Sequence, residues 1–164
     1  MSKGIKQYNY KKLAEYYDSL ELSASDGYEK VNKFLDKTFK KHKVKSVLDM
    51  TCGTGAQTIS LAKKGYNIVG SDISKSMLNY ARKKSRGLRV KYHHGDIRKS
   101  KFGKFDAVIA IFNAIGHLNK EDFSKAIKNV SQNLNSKGLF VFDIFNLDFM
   151  KSGFINYKFI DEAS

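Results

Sequence analysis

Residues 44–145 alternate between short, largely apolar runs and amphipathic segments with helical spacing. The apolar runs predict five strands, at residues 44–50, 66–71, 88–92, 105–112 and 139–145. The run at 105–112 is apolar almost throughout, which is typical of a central strand buried on both faces. The run at 88–92 alternates apolar with basic residues, which is typical of an edge strand. Strands that alternate with helices over short connections predict an α/β fold with a doubly wound parallel sheet.

Cap residues and glycines delimit the helices predicted between these strands. Ser74 and Asn119 are predicted N-caps, the latter with an acid, Asp122, at the N3 position. Gly65 and Gly87 stand where the chain should leave a helix, and Gly138 is expected to end the turn after the last one. The inward face of that last helix is predicted to carry four apolar residues, Phe123, Ile127, Val130 and Leu134.

Residues 1–43 precede the alternating region and are predicted to be helical. Residues 8–20 form a short aromatic-rich segment with helical spacing. A second helix is expected over 26–42, with its apolar face formed by Val31, Phe34, Leu35, Thr38 and Phe39. We therefore predict an N-terminal helical region at 1–43 and a core at 44–146.

The composition of the chain is typical of one globular domain with a strongly basic surface. The chain has 164 residues, of which 41% are hydrophobic, and a net charge of +14. Its 30 basic residues include only four arginines, so a solvated lysine-rich surface is favoured over a nucleic-acid footprint, although basic residues are dense from Arg82 to Lys101. The single cysteine, Cys52, excludes an internal disulfide and favours the cytoplasm. No signal peptide or membrane span is expected.

Polar residues follow four of the predicted strands, where a doubly wound sheet binds its ligand. Asp49 and the turn Gly53-Thr54-Gly55 follow strand one, and Asp72 follows strand two. Asp96 follows strand three, and residues 113–117 follow strand four. Glycines allow a ligand to approach the backbone closely, and a carboxylate before the turn suits a cationic ligand better than a pyrophosphate.

The segment 49–55 resembles motif I of the class I S-adenosylmethionine-dependent methyltransferases, acid-x-G-x-G-x-G, with Thr51 where that family usually has its first glycine. The resemblance implies a Rossmann-like sheet of order 3-2-1-4-5, with S-adenosylmethionine as cofactor and S-adenosylhomocysteine as product. Residues 8–20 also resemble a segment, Y-x-x-x-A-x-x-Y-D, that lies over the cofactor, which implies that the helical region 1–43 is a lid. No metal is implied. The cofactor-binding residues that the resemblance implies are Tyr17, Asp49, Thr51, Gly53, Thr54, Gly55, Asp72, Ile73, Met77, Asp96, Ile97 and Asn113.

Two later segments, 112–118 and 142–148, are similar to glycine and sarcosine N-methyltransferases. Those enzymes carry N-S-x-x-H-L after strand four and D-x-R-N-Y-D after strand five. Phe145 stands where they have the arginine that grips the amino acid carboxylate, which argues against glycine as substrate. Candidate bases for the acceptor are His117 and Asp143. The matching residues are Asn113, His117, Leu118, Asp143, Asn146 and Asp148.

These features predict methyl transfer to a nitrogen or oxygen of a small molecule. Two alternatives stay open: a cofactor-binding but catalytically incomplete interaction module, and an RNA methyltransferase, although no N-P-P-Y type motif follows strand four. Relatives add an antiparallel strand pair after strand five, whereas about 19 residues follow Phe145 here. We therefore expect residues 147–164 to begin an incomplete acceptor-binding segment, and the edge of strand five to be a possible homodimer contact.

Overall fold

The computed structural model describes residues 25–144, which form four helices and one five-stranded sheet. Several residues and segments named above lie outside the described residues, namely Tyr17, the segment 8–20, Phe145, Asn146, Asp148 and the segment 147–164. The helices are α1 (Ser25–Lys41), α2 (Ala56–Lys63), α3 (Lys75–Lys84) and α4 (Lys120–Gln132). The strands are β1 (Ser46–Asp49), β2 (Asn67–Asp72), β3 (Lys91–His94), β4 (Phe105–Ala110) and β5 (Leu134–Phe142).

The sheet has the order β3-β2-β1-β4-β5, and all of its strand pairs are parallel. Leu48 at the centre lies opposite Val69 of β2 on one side and Val108 of β4 on the other. The predicted architecture and strand order are therefore confirmed. None of the helices in residues 25–144 is long and apolar enough to cross a membrane.

The core has two layers because successive residues of a strand point to opposite faces of the sheet. Val47 packs with residues of α1 and α2, among them Leu35, Phe39 and Leu61. Leu48, its neighbour in the chain, packs on the other face with Val108 and with Ala126 and Val130 of α4. The predicted inward face of α1 is confirmed, since Val31, Leu35, Thr38 and Phe39 are buried. Helices therefore cover both faces of the sheet.

The predicted position of strand three was wrong by about three residues. β3 starts at Lys91, because the amides of Leu88 and Val90 donate to the carbonyls of Ser85 and Leu88 and so form a turn. Pairing begins where Lys91 lies opposite Val69. The edge location that its charged alternation predicted is confirmed.

The boundary between α4 and β5 also differs from the prediction. The Asn119 cap is confirmed, with the amide of Asp122 donating to its Oδ1 at 2.8 Å. Ile127, however, is 36% exposed, and Leu134 begins β5 instead of ending the helix. Leu134 lies opposite Phe105 and Leu139 opposite Ala107, so the segment between them bulges, and Gly138 lies inside the strand.

Strand four is shorter than predicted at its carboxyl end. β4 stops at Ala110 because Phe112 and Asn113 adopt positive φ angles of 64° and 55°, which no strand can contain. Non-glycine residues in this region are uncommon and concentrate at binding sites. The chain therefore turns sharply where the predicted site begins.

Candidate active site

β1 delivers a buried acid, Asp49, to the carboxyl end of the sheet. Its side chain accepts a hydrogen bond from Thr58 Oγ1 at 2.7 Å and a longer one from the amide of Thr51 at 3.4 Å. Burial raises the pKa of Asp49 to about 7, against the opposing effect of these two donors. The neutral and charged forms of Asp49 are therefore both populated near neutral pH, and a cationic ligand group would draw the residue toward its charged form.

The turn after β1 depends on two glycines with positive φ, Gly53 at 53° and Gly55 at 89°. Gly55 is the N-cap of α2, and its amide donates to the carbonyl of Cys52 at 2.8 Å. The amide of Cys52 donates in turn to the carbonyl of Ser71 at 2.9 Å, which fastens the turn to β2. Because these glycines have no Cβ, a ligand can approach the backbone of this turn closely.

Asp72, at the end of β2, connects that turn to the start of α3. Its Oδ2 accepts from the amide of Gly53 at 2.8 Å, and its Oδ1 accepts from the amide of Ser74 at 2.8 Å. Burial raises the pKa of Asp72, while these amide donors act against the rise. Because a carboxylate oxygen has two lone pairs, each one retains capacity for a ligand hydroxyl.

A single cleft at the carboxyl ends of β1, β2 and β4 brings many of these residues together. Seven predicted site residues line it: Thr51, Gly53, Thr54, Asp72, Ile73, Met77 and His117. Asp49 and Gly55 do not line it but support the turn from below, through Thr51 and Cys52. The other lining residues are Tyr28, Cys52, Ala56, Gln57, Ser74, Ile111, Phe112 and Ala114.

Asp96 and Ile97 do not line the cleft. Asp96 receives both Nε and Nη2 of Arg98, at 2.9 and 2.7 Å, and these hydrogen bonds lower the pKa of Asp96. Arg98 also donates to Asp122 of α4 at 2.7 Å, so the loop after β3 is fastened to that helix. Ile97 is buried in the core layer that contains Phe105.

Asn113 and Asp143 form a buried pair between the ends of β4 and β5. The amide of Asn113 donates to Asp143 Oδ1 at 3.0 Å, and burial raises the pKa of Asp143. The two residues do not line the cleft, whereas His117 is exposed and does. Of the two candidate bases, His117 is therefore the one placed at the cleft.

Sequence reasoning missed the aromatic wall and one polar residue of the cleft. Tyr28 of α1 packs against Phe112, with ring centroids 4.4 Å apart. Phe112 also has a positive φ, and neither that angle nor the contact with Tyr28 is visible in any local sequence pattern. Gln57 was missed because it stands at the start of a predicted helix, where a polar side chain ordinarily faces solvent. Only the motif spacing, which places position 57 just after the glycine turn, could have drawn attention to it.

The model of the methyltransferase domain family matches residues 47–138, more than half of the chain. The chain belongs to this family. The predicted membership of the class I S-adenosylmethionine-dependent methyltransferases is thereby confirmed, since the matched segment contains the glycine turn, Asp72, the strands β2 to β4 and most of β1 and β5.

Individual relatives of this methyltransferase domain are longer than the chain itself. The putative methyltransferase YqeM of Bacillus subtilis is 32% identical over 139 residues, which is 82% of this chain and 55% of YqeM. Human glycine N-methyltransferase is 30% identical over 132 residues, 69% of this chain and 45% of the enzyme. An S-adenosylmethionine-dependent methyltransferase from Clostridium acetobutylicum has a similar structure, with a TM-score of 0.75, 30% identity and coverage of 88% and 61%. The chain spans about half the length of the curated relatives it matches.

Proposed function

We propose that this chain is the cofactor-binding part of a cytoplasmic S-adenosylmethionine-dependent methyltransferase that modifies a nitrogen or oxygen of a small molecule. The observation that carries the proposal is the Asp72 carboxylate. It lines the cleft, bridges the amides of Gly53 and Ser74 and retains lone pairs for further donors. Such a carboxylate suits a ribose, and the family of the chain uses an adenosyl cofactor.

The cleft also contains two polar side-chain groups without hydrogen-bond partners, which suits the binding of the cofactor. Thr51 Oγ1 and Gln57 Nε2 are buried and have no partner. In our assignment Asp72 holds the ribose, with Ile73 and Met77 beside it, and the turn Gly53-Thr54-Gly55 receives the methionyl part. Asp49 supports this turn through Thr51. We also propose that Asp96 and Ile97 contact the adenine, that Asn113 contacts the cofactor and that Tyr17 lies over the cofactor.

The cofactor supplies a sulfonium methyl group that is already activated for displacement. The protein then contributes positioning and exclusion of water more than chemistry. Tyr28 and Phe112, whose rings pack against each other, add apolar surface to the lining of the cleft. His117 is the residue we propose to accept a proton from the acceptor, and Asp143 to hold the backbone of Asn113 in place.

The acceptor we propose is a small molecule that carries an amine. The support is the activity named for several relatives, which include human glycine N-methyltransferase and a dTDP-amino-sugar N,N-dimethyltransferase from Streptomyces venezuelae, 33% identical over 98 residues. Phe145 in place of the carboxylate-binding arginine argues against glycine itself. We further propose that residues 1–43, 44–146 and 147–164 act as lid, core and acceptor-binding segment, with Tyr28 of the lid at the cleft.

Calorimetry with S-adenosylhomocysteine, followed by transfer of a labelled methyl group to a panel of small amines and alcohols, tests the proposal. We expect binding at micromolar concentrations and transfer to at least one amine. Binding without transfer to any acceptor would instead favour the interaction module. Binding of NAD with no binding of S-adenosylmethionine or S-adenosylhomocysteine would contradict the proposal.

The main alternative, an RNA methyltransferase, rests on a basic surface at the sheet edge formed by α3 and β3. Its exposed residues are Arg82, Lys83, Lys84, Arg86, Arg89 and Lys91. Because we propose that this surface is only solvated, RNA binding should be weak at low salt and lost at about 150 mM salt, where released counterions no longer favour association. Anisotropy of a labelled RNA across a salt series measures this. Salt-resistant binding that depends on RNA structure would favour the alternative.

A homodimer through β5 is a second proposal about partners. β5 is an edge strand of the described sheet, its side chains from Leu139 to Phe142 are only half buried, and Ile144 just beyond it is 46% exposed. An edge of this kind offers unpaired backbone groups to a second copy. Light scattering should give twice the 18.6 kDa chain mass, and Ile144→Lys should return it to a monomer. A monomeric wild type at high concentration would rule out this dimer.

A further inference from the structure

Arg98 connects the loop after β3 to the first turn of α4. Its Nε and Nη2 form a fork on the carboxylate of Asp96, at 2.9 and 2.7 Å, and its Nη1 donates to Asp122 Oδ2 at 2.7 Å. The exposed fractions of the three side chains are 31% for Arg98, 12% for Asp96 and 15% for Asp122. A guanidinium fork fixes direction as well as distance, which a lysine ammonium cannot do. The connection is therefore sheltered from solvent and specific for arginine.

The later turns of α4 hold the same loop through a neutral side chain. Asn129 is buried, and its Nδ2 donates to the carbonyls of Ile97 and Ser100 at 2.9 and 2.8 Å. The loop is therefore a fixed support for the helix. Arg98 makes the attachment at the end of the helix that follows His117.

Segment 113–118, which joins β4 to α4, starts in a strained conformation. Phe112 and Asn113 have φ angles of 64° and 55°, and strain of this kind persists only where the surrounding structure holds it. At the start of the segment, the amide of Asn113 donates to Asp143 Oδ1 at 3.0 Å. The segment carries His117 into the lining of the cleft, so its far end must be held as well.

The first turn of α4 holds that far end. Asn119, two residues after His117, is the N-cap, and its Oδ1 accepts from the amide of Asp122 at 2.8 Å. The carboxylate of the same Asp122 accepts from Arg98. A chain of hydrogen bonds therefore runs from Arg98 to the end of segment 113–118.

We propose that Arg98 is a positioning residue that keeps His117 at the cleft. It acts through Asp122 and the N-cap of α4, which together hold the end of segment 113–118. Arg98 itself does not line the cleft. The inference rests on the proposed function, in which His117 accepts a proton from the methyl acceptor, and it concerns the acceptor side of the site.

The test follows His117 by nuclear magnetic resonance of its imidazole and segment 113–118 by amide hydrogen exchange. The chain has four histidines, so the His117 resonance is assigned by its loss in His117→Gln. In Arg98→Lys, which keeps the charge but not the fork, this resonance should shift or broaden. The amides of the segment should exchange roughly 10-fold faster, as expected for loss of a charged hydrogen bond that is partly exposed. Asp122→Asn should act in the same direction, because it weakens the link and retains the amide that donates to Asn119.

Glu121→Gln is the matched control, because it removes an acid from the same first turn without breaking the Arg98 link. The exposed Glu121 pairs with Lys125 at 2.7 Å, and the loss of its charge affects the helix dipole as the loss of Asp122 does. The His117 resonance and the exchange of segment 113–118 should stay as in the wild type. Equal changes in this variant would overturn the proposal, since the charge of the helix end would then be responsible.

Melting temperatures separate positioning from stabilisation of the fold. A lower melting temperature in Arg98→Lys and Asp122→Asn, with an unchanged His117 resonance and unchanged exchange, would also overturn the proposal. If Arg98→Lys does not fold, Asp122→Asn alone decides the outcome. The test needs no ligand, so failure of the wild type to bind S-adenosylhomocysteine would overturn the proposed function and is measured separately.

Discussion

Replacement of Asp72 by alanine is expected to weaken S-adenosylhomocysteine binding by roughly 10- to 100-fold. A hydrogen bond to a charged group contributes about 1.5–3 kcal/mol, and the Asp72 carboxylate is the proposed acceptor for the ribose hydroxyls. The loss has a second source within the protein. Without the carboxylate, the amides of Gly53 and Ser74 lose their acceptors, and the turn is no longer connected to the start of α3. Calorimetry on the purified variant measures the change.

Asp106→Ala is the matched control for this experiment. Asp106 also accepts from two backbone amides, those of Lys45 and Ser46 at 3.0 and 2.9 Å, and these bonds hold the pKa of Asp106 at about 2. It lies at the amino end of β4, however, on the opposite edge of the sheet from the cleft. Its loss should lower stability and leave binding unchanged. If the Asp72 and Asp106 variants bind equally well, Asp72 does not hold the ribose.

The central strands could be predicted because their environment determines their sequence. β1 and β4 have neighbours on both sides and helices on both faces, so Val47, Leu48, Val108 and Ile109 are all fully buried. The edge strands offer no such constraint. Leu88 and Val90 alternate as a strand would, but local turn hydrogen bonds determine their conformation, and pairing begins only at Lys91.

The start of β5 shows a second limit of local patterns. Gly138 was predicted to end a turn, since glycine there is common after a helix. It lies instead inside β5, where a Cβ would come within 2.9 Å of the carbonyl oxygen of Asn135 and 3.2 Å of that of Asp106. A close approach between two backbone segments, not the end of a turn, requires the glycine.

The candidate site was likewise predictable only in part. The glycine turn and Asp72 were identifiable because a parallel sheet fixes where strand ends meet. The Arg98 link from Asp96 to Asp122 joins residues 24 or more positions apart on different elements. Tyr28 of α1 lines the cleft in contact with Phe112, which lies far from it in the sequence. Contacts of this kind arise from tertiary packing, which spacing along the chain does not encode.

Gly55→Ala is expected to destabilise the protein by about 2–5 kcal/mol. Gly55 has a φ of 89°, and an L-residue in the left-handed region costs roughly 1–2 kcal/mol. A Cβ would also lie 3.0 Å from the hydroxyl oxygen of Tyr92 and 3.2 Å from the Cβ of Ala81, and overpacking costs typically 1–3 kcal/mol more. Urea denaturation of the variant and the wild type measures the sum.

Gly65→Ala separates these two contributions. Gly65 has nearly the same φ, 92°, but a Cβ there would meet nothing within 4 Å. It should therefore show the backbone cost alone, roughly 1–2 kcal/mol, and the difference between the two variants should equal the crowding at Gly55. Adding Tyr92→Phe to Gly55→Ala removes the nearest oxygen and should recover part of that difference. Equal destabilisation by the two alanine substitutions would mean that α3 and β3 shift enough to accommodate the added methyl group at position 55. The glycine at 55 would then be needed for its backbone angle and not for its lack of a side chain.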